Sequence, residues 1–165
     1  MGIAVRYKKN PEEARAMVNA GFLKIFSNLV SYAPPTPFEA WIRRIMINTL
    51  IDDFRKNQKE KSIVQQTDFS EANGMDYGFN FNDAEQLLHI QALEAMILAL
   101  PPMTRNVFNL YAIDGFKHRE IADLLLISIN TSKWHLAHAR KKLVAMLQAE
   151  LHPTVTHQKK ESNAQ

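Results

Sequence analysis

Two groups of side chains combine residue types and spacings that suit contact with a polyanion. Lys133, Trp134, His138 and Lys141 fall on the far side of a helical pattern whose apolar face is Leu136, Ala139, Leu143 and Met146. Lys133 can reach a base acceptor or a phosphate. Trp134 can donate only through its indole N–H or make apolar contact. His138 can read a base edge and favours DNA more when protonated. Arg44, Asn48, Asp52 and Arg55 recur at i, i+4, i+8 and i+11 and form a second polar stripe. Its plainer reading is a solvated helix face with an Asp52–Arg55 pair worth roughly a few tenths of a kcal/mol. His135 and His138 stand at the i, i+3 spacing of a metal pair, but no acid at matching spacing completes a site. Asp52 and Asp53 are neighbours, which on a helix point about 100° apart, so they read as solvated charge. There is no phosphate loop and no glycine-rich nucleotide fingerprint. Neither an enzyme nor a bound cofactor is expected.

These residues need helices to position them, and the chain is patterned for helices. Residues 2–9 read as the end of a helix that starts abruptly at Met1. Asn10-Pro11-Glu12-Glu13 is a helix start: Asn10 caps, Pro11 takes the first position and Glu13 can reach back. That helix should run to about Val30, with Val18, Phe22, Ile25, Phe26 and Leu29 as a mostly buried stripe. A proline-rich turn, 32–37, cannot continue it. Thr36-Pro37-Phe38-Glu39 opens a long helix to about Asn57, whose expected buried face is Phe38, Trp41, Ile42, Ile45 and Met46. Residues 60–82 are rich in Ser, Asn, Asp and Gln and read as a poorly ordered linker. Asn82-Asp83-Ala84-Glu85 caps a third helix, to about Leu100. Residues 103–113 form a fourth, with Val107, Leu110 and Tyr111 inward.

After Gly115, Ile121, Leu124 and Leu125 mark a short helix, Ile127 and Ser128 a turn, and Asn130 or Thr131 the cap of the next helix. Two short helices at a steep angle, the second polar outside, describe a DNA-reading helix-turn-helix, or more plainly a helical hairpin. Leu126 stands where such turns usually carry Gly, and Ser132 where an apolar side chain usually packs on the first helix. The tail after His152-Pro153 is polar and expected to fray.

The 165 residues suit one or two small domains, and the absence of cysteine excludes a disulfide framework, a Cys-based zinc site and a thiol nucleophile. No apolar run approaches the ~18 residues of a membrane span. With no cleavable apolar core at the N-terminus, a cytoplasmic protein is expected. Charge is uneven: residues 1–62 carry eleven Lys and Arg against six acids, and 63–86 carry five acids and no Lys or Arg. Residues 87–151 carry seven cations against five acids. Basic ends around an acidic middle suit two polyanion-binding modules and a linker, although the net excess of +3 is modest.

A family resemblance sharpens this. Ala99-Leu-Pro-Pro-Met-Thr-Arg-Asn-Val-Phe108, Glu120-Ile121-Ala122, Ile127-Ser128, Thr131, Lys133, Leu136 and Ala139-Arg140-Lys141-Lys142-Leu143 resemble the C-terminal domain of bacterial RNA polymerase sigma factors of the short extracytoplasmic-function (ECF) class. Pro37 to Asp52 is similar to the segment of those factors that opens and reads the −10 element. The resemblance covers about residues 2–147.

It implies an all-α fold of two small helical domains joined by a flexible linker, the second with the helix-turn-helix. Residues 1–59 would bind core RNA polymerase and the −10 element, with the first helix truncated at Met1. Residues 60–82 would be an acidic linker, 83–151 would read the −35 element, and 152–165 would be a polar tail. By motif position Tyr32, Trp41, Arg44, Asn48 and Arg55 would contact the −10 element, with Tyr32 and Asn48, both exposed, holding a flipped-out base. Arg119, Thr131, Lys133, Trp134, His138 and Lys141 would contact the −35 element. Asn19, Ala20 and Leu23 would face the core enzyme; Asn19 and Ala20 replace the Gln and acid usual in the family. The implied partners are core RNA polymerase, promoter DNA and an anti-sigma factor. Two other readings stay open: a sigma-like module that binds DNA or an anti-sigma factor without initiating, and an ordinary helix-turn-helix regulator dimerising through residues 1–60.

Overall fold

The computed structural model describes residues 2–33, 35–62 and 90–151. All regular structure among them is helical. Helix α1 spans Gly2–Tyr7, α2 Pro11–Ser27 and α3 Phe38–Ser62. A 3-10 turn, Leu29–Ser31, follows α2. The second half comprises α4 (Ile90–Ala99), α5 (Pro102–Phe108), α6 (His118–Leu125) and α7 (Ile129–Leu151). The last turn of α5 widens into a π-helical segment, Asn109–Ile113. The expected linker lies mostly outside the described residues, as do the cap at Asn82 and the tail; residues 60–62 belong to α3, which continues past the expected end near Asn57. Among the described residues no helix is long and apolar enough to cross a membrane.

Local chemistry explains the helix starts. The Asn10 side chain accepts from the Glu12 N–H at 2.8 Å, with Pro11 in the first turn where its missing N–H costs nothing. Glu13 does not reach back to the cap and instead pairs with Lys8 at 3.5 Å. Glu120 accepts from the Lys117 N–H at 2.8 Å and so starts α6.

Two faces turn away from the expected ones. On α2 only Ile25 of the anticipated stripe is buried; Phe22, Phe26 and Leu29 are exposed, and Val18 is half-buried. The packed face is instead Ala14, Gly21 and Ile25. Gly21 is the cause: the Met46 side chain lies where a Cβ would sit, so α2 meets α3 through its smallest residue rather than through its phenylalanines. On α3 the buried residues are Met46, Ile47, Leu50 and Ile51, while Phe38 is exposed and Trp41, Ile42 and Ile45 are half-buried. Each aliphatic side chain buried there stabilises the fold by about 1.5–3 kcal/mol.

In the second half Val107, Leu110, Ile121, Leu125, Leu136, Ala139 and Leu143 are buried as the periodicity predicts, whereas Tyr111 is exposed and stacks on His118. The apolar cores of the two halves run together: Ala4, Tyr7, Ile47 and Leu50 belong to one cluster with Leu100, Leu110, Ile121 and Leu136.

Candidate nucleic-acid interface

The first candidate surface lies at the start of α3. The ring of Tyr32 sits 5.2 Å from Phe38 at a steep angle and 5.3 Å from Trp41, while Phe38 and Trp41 stack 5.8 Å apart. The Tyr32 hydroxyl donates to the Thr36 carbonyl at 2.7 Å, which ties the ring to the loop it leaves. Three aromatic faces at one helix start form a platform on which an unstacked base can lie. Phe38 was expected in the core; its exposure makes it the third ring of this platform. The signal was the aromatic triple itself, since proline at 37 fixes where the helix begins and so brings 38 and 41 under 32.

Arg44 is exposed, whereas Tyr32, Asn48 and Arg55 are half-buried rather than freely exposed. The Asn48 Oδ1 and the Arg55 Nε are buried and have no hydrogen-bond partner. An unmet amide oxygen two turns along the helix from Trp41 is a polar group held ready for a donor. Asp52 pairs with Lys24 at 3.4 Å and approaches Arg55 at 3.8 Å, so this end of the stripe is the surface ion network that its spacing suggested.

The second surface is the outer face of the helix-turn-helix. Leu126 ends α6 in the left-handed conformation, φ 56° and ψ 46°, and its N–H returns to the Ala122 carbonyl. The turn is made despite the bulky residue because its side chain points to solvent. Helix α7 starts earlier than expected: the cap is Ser128, whose hydroxyl accepts from the Thr131 N–H at 3.0 Å and meets the Thr131 hydroxyl at 2.8 Å. Asn130 and Thr131 therefore lie inside the first turn, and Thr131 serves the cap. Ser132 is fully buried, and its hydroxyl meets His118 Nδ1 at 2.9 Å. A polar link thus holds the two helices where an apolar contact is usual.

Lys133, Lys141 and Arg119 are exposed; Trp134 and His138 are half-buried and stack face to face at 4.9 Å. Behind them His135 is buried, its Nδ1 3.0 Å from the Thr104 hydroxyl. Burial, with the His138 charge adding, pushes the His135 imidazole down to about 4. Burial and nearby lysines also lower His138. His135 therefore faces the core as a neutral ring, and the two histidines at i, i+3 are split between inside and outside. Among the described residues no three metal-ligating side chains converge.

On α2, Asn19 and Leu23 are exposed and Ala20 is half-buried. They adjoin a ridge of Phe22, Leu23 (69% exposed), Phe26 (71%) and the fully exposed Val30. Running from α2 into the 3-10 turn, this apolar strip is a candidate interaction surface. Sequence periodicity concealed it, because Phe22 and Phe26 read as part of a core stripe.

Comparison with known proteins finds two family segments in the chain. The family description Sigma-70 region 2 matches residues 1–60, and Sigma-70, region 4 matches residues 90–143. The chain is 26% identical over 145 residues to the ECF RNA polymerase sigma factor SigE of Mycolicibacterium smegmatis, covering 86% of this chain but only 54% of that relative. It is 27% identical over 146 residues to the ECF RNA polymerase sigma factor EcfG of Rhodopseudomonas palustris, covering 87% of this chain and 76% of the relative. Among solved structures, the sigma factor RpoE of Bartonella quintana, crystallised with the anti-sigma factor NepR, shares the fold. Its TM-score is 0.56 at 19% identity, covering 90% of this chain and 89% of that one.

Proposed function

The chain belongs to the ECF group of the sigma-70 family, whose members serve transcription initiation, and from that premise we propose that it binds core RNA polymerase and directs it to specific promoters. Residues 1–59 are the core-binding and −10 module, and 83–151 the −35 module. The chain works in the cytoplasm, where its polymerase is. The observation that carries this reading is the pairing, in one chain, of the Tyr32–Phe38–Trp41 platform with the exposed Lys133 and Lys141 of α7.

Each surface has a task its chemistry fits. The aromatic platform takes a base turned out of the duplex, and the unmet Asn48 oxygen offers an acceptor for that base's amino group. The stacked Trp134–His138 pair presents one rigid apolar edge and one imidazole to the groove, with Lys133 beside them. Arg119, at the start of α6, contacts phosphate and sets the register. The apolar ridge of α2, with Asn19, Ala20 and Leu23, docks on core polymerase. An anti-sigma factor is the second partner, one that competes for these surfaces.

The test is a pull-down with purified core polymerase. The wild-type chain is expected to bind; Leu23→Glu, which places a charge in the ridge, should weaken binding by about tenfold or more. Ala20→Glu should strengthen it through a charge-assisted contact. Absence of binding by the wild type and by Ala20→Glu would favour a DNA-binding or anti-sigma-binding module without initiation activity.

A further inference from the structure

One imidazole at the junction of α6 and α7 is held with one nitrogen inward and the other outward. His118, the first residue of α6, is half-buried, and its Nδ1 meets the hydroxyl of the fully buried Ser132 on α7 at 2.9 Å. Its ring stacks on Tyr111 of the π-helical segment at 4.6 Å. Nε2, on the opposite side of the ring, stays accessible and has no partner among the described residues. Burial, with Lys133 and Arg140 of α7 adding, holds this imidazole below the ordinary histidine range, so it is neutral in the free chain near pH 7. The π-helical segment brings the Tyr111 phenol to the ring and no charge. Its own helix carries Arg119, Glu120 and Asp123, and Glu120 is committed to the Lys117 N–H. Helix α3, which also packs on α6, adds no charge that shifts the ring.

We propose that His118 is a proton-linked DNA ligand: when the helix-turn-helix docks on a duplex, the imidazole takes up a proton from solvent and donates its Nε2–H to a backbone phosphate. The proposal rests on the reading of the helix-turn-helix as a DNA-binding unit. One proton leaves the buffer, the ring gains one positive charge, and the new N–H is the only bond formed. Both ring nitrogens are then donors. The Ser132 oxygen can accept as well as donate, so the inward hydrogen bond survives the change. A phosphate beside Lys133 and Arg140 neutralises the two cations that disfavour a third positive charge in the free chain. Ser132 and Tyr111 fix the ring before DNA arrives, so docking orders little that is not ordered already. Linkage sets the sign: a group that holds its proton more tightly in the complex than in the free chain makes the complex tighter as pH falls. Acid thus strengthens the grip on DNA through a contact that positions the module and carries no sequence information.

Fluorescence anisotropy of the full chain on a labelled duplex of mixed sequence, at pH 8 and pH 6 and over a range of salt concentrations, tests this. The parent is His138→Gln, which removes the other imidazole on the outer face of α7. In that parent, affinity should rise about fivefold from pH 8 to pH 6, and the salt slope should steepen by about one charge. Adding His118→Gln, whose amide can still meet the Ser132 hydroxyl but does not titrate, should abolish both changes while the helical signal is kept. A His118 that only holds α6 on α7 would lower affinity or stability in this variant yet leave the pH and salt dependence in place. A second measurement needs no variant: the Cε1–H resonance of His118 in the wild type should titrate at higher pH with duplex than without. Equal pH and salt dependence with and without His118, or a resonance whose titration the duplex leaves unmoved, would overturn the proposal. A folded chain that binds no duplex at either pH would instead overturn the reading of the helix-turn-helix as a DNA-binding unit, and the proposal with it.

Discussion

Leu126 carries a cost that the sequence already signals. Its left-handed backbone costs about 1–2 kcal/mol for a residue with a Cβ. Its side chain is 64% exposed, so little packing offsets that cost. Leu126→Gly should therefore raise stability by about 1 kcal/mol after the added chain entropy of glycine, read as a melting temperature higher by a few degrees. A lower melting temperature would mean that the side chain packs in solution. His135 gives a second prediction. Its pKa lies near 4 when folded and near 6.5 when unfolded, so below pH 6.5 the unfolded state binds the extra proton. Stability contributed by the neutral ring is complete above pH 6.5 and is lost as pH falls toward 4. Between pH 7 and 5 the loss should be about 2 kcal/mol, and urea titrations of the wild type and His135→Gln at both pH values check it. The same slope in His135→Gln would assign the loss to other groups.

At the level of elements, legibility depended on whether a face has one plausible partner. The helix-turn-helix was readable because Ile121, Leu125, Leu136, Ala139 and Leu143 give each of its helices a single apolar face, and all are buried. Helix α2 was misread because its aromatic stripe and its small-residue face, Ala14 and Gly21, both have helical spacing. Periodicity weights the larger side chains, but close packing on Met46 selected the smaller ones. The cap of α7 was misplaced because Ser128, Asn130 and Thr131 are all good caps, and the turn set by Leu126 decides among them. The Arg6–Asp114 ion pair between the two halves, 3.0 Å long, was invisible, since the two residues are far apart in sequence and nothing local couples them. For α7 itself, Trp134→Ala should flatten discrimination between good and scrambled −35 duplexes by about 1–3 kcal/mol per lost base contact. Arg119→Ala should weaken both duplexes alike and reduce the salt slope by about one charge. Binding titrations at two salt concentrations separate the two behaviours. Equal loss on both duplexes for Trp134→Ala would make it a backbone anchor or part of the fold.

At the scale of the whole molecule, two helical units share one apolar core yet carry their candidate recognition surfaces on separate elements. The proposed promoter-directed initiation would need the α2 ridge, the Tyr32–Phe38–Trp41 platform and the outer face of α7 to act in one chain. Permanganate reactivity of thymines on a promoter recovered from a random-sequence library by the chain with purified core polymerase tests that claim most directly. The account predicts reactive thymines at the −10 element only when core and chain are both present. Reactivity should be retained with Tyr32→Phe, which keeps the ring, and lost with Tyr32→Ala, although the latter still folds and binds core. Undiminished reactivity with Tyr32→Ala, or no reactive thymines with a wild-type chain that binds both core polymerase and DNA, would contradict it.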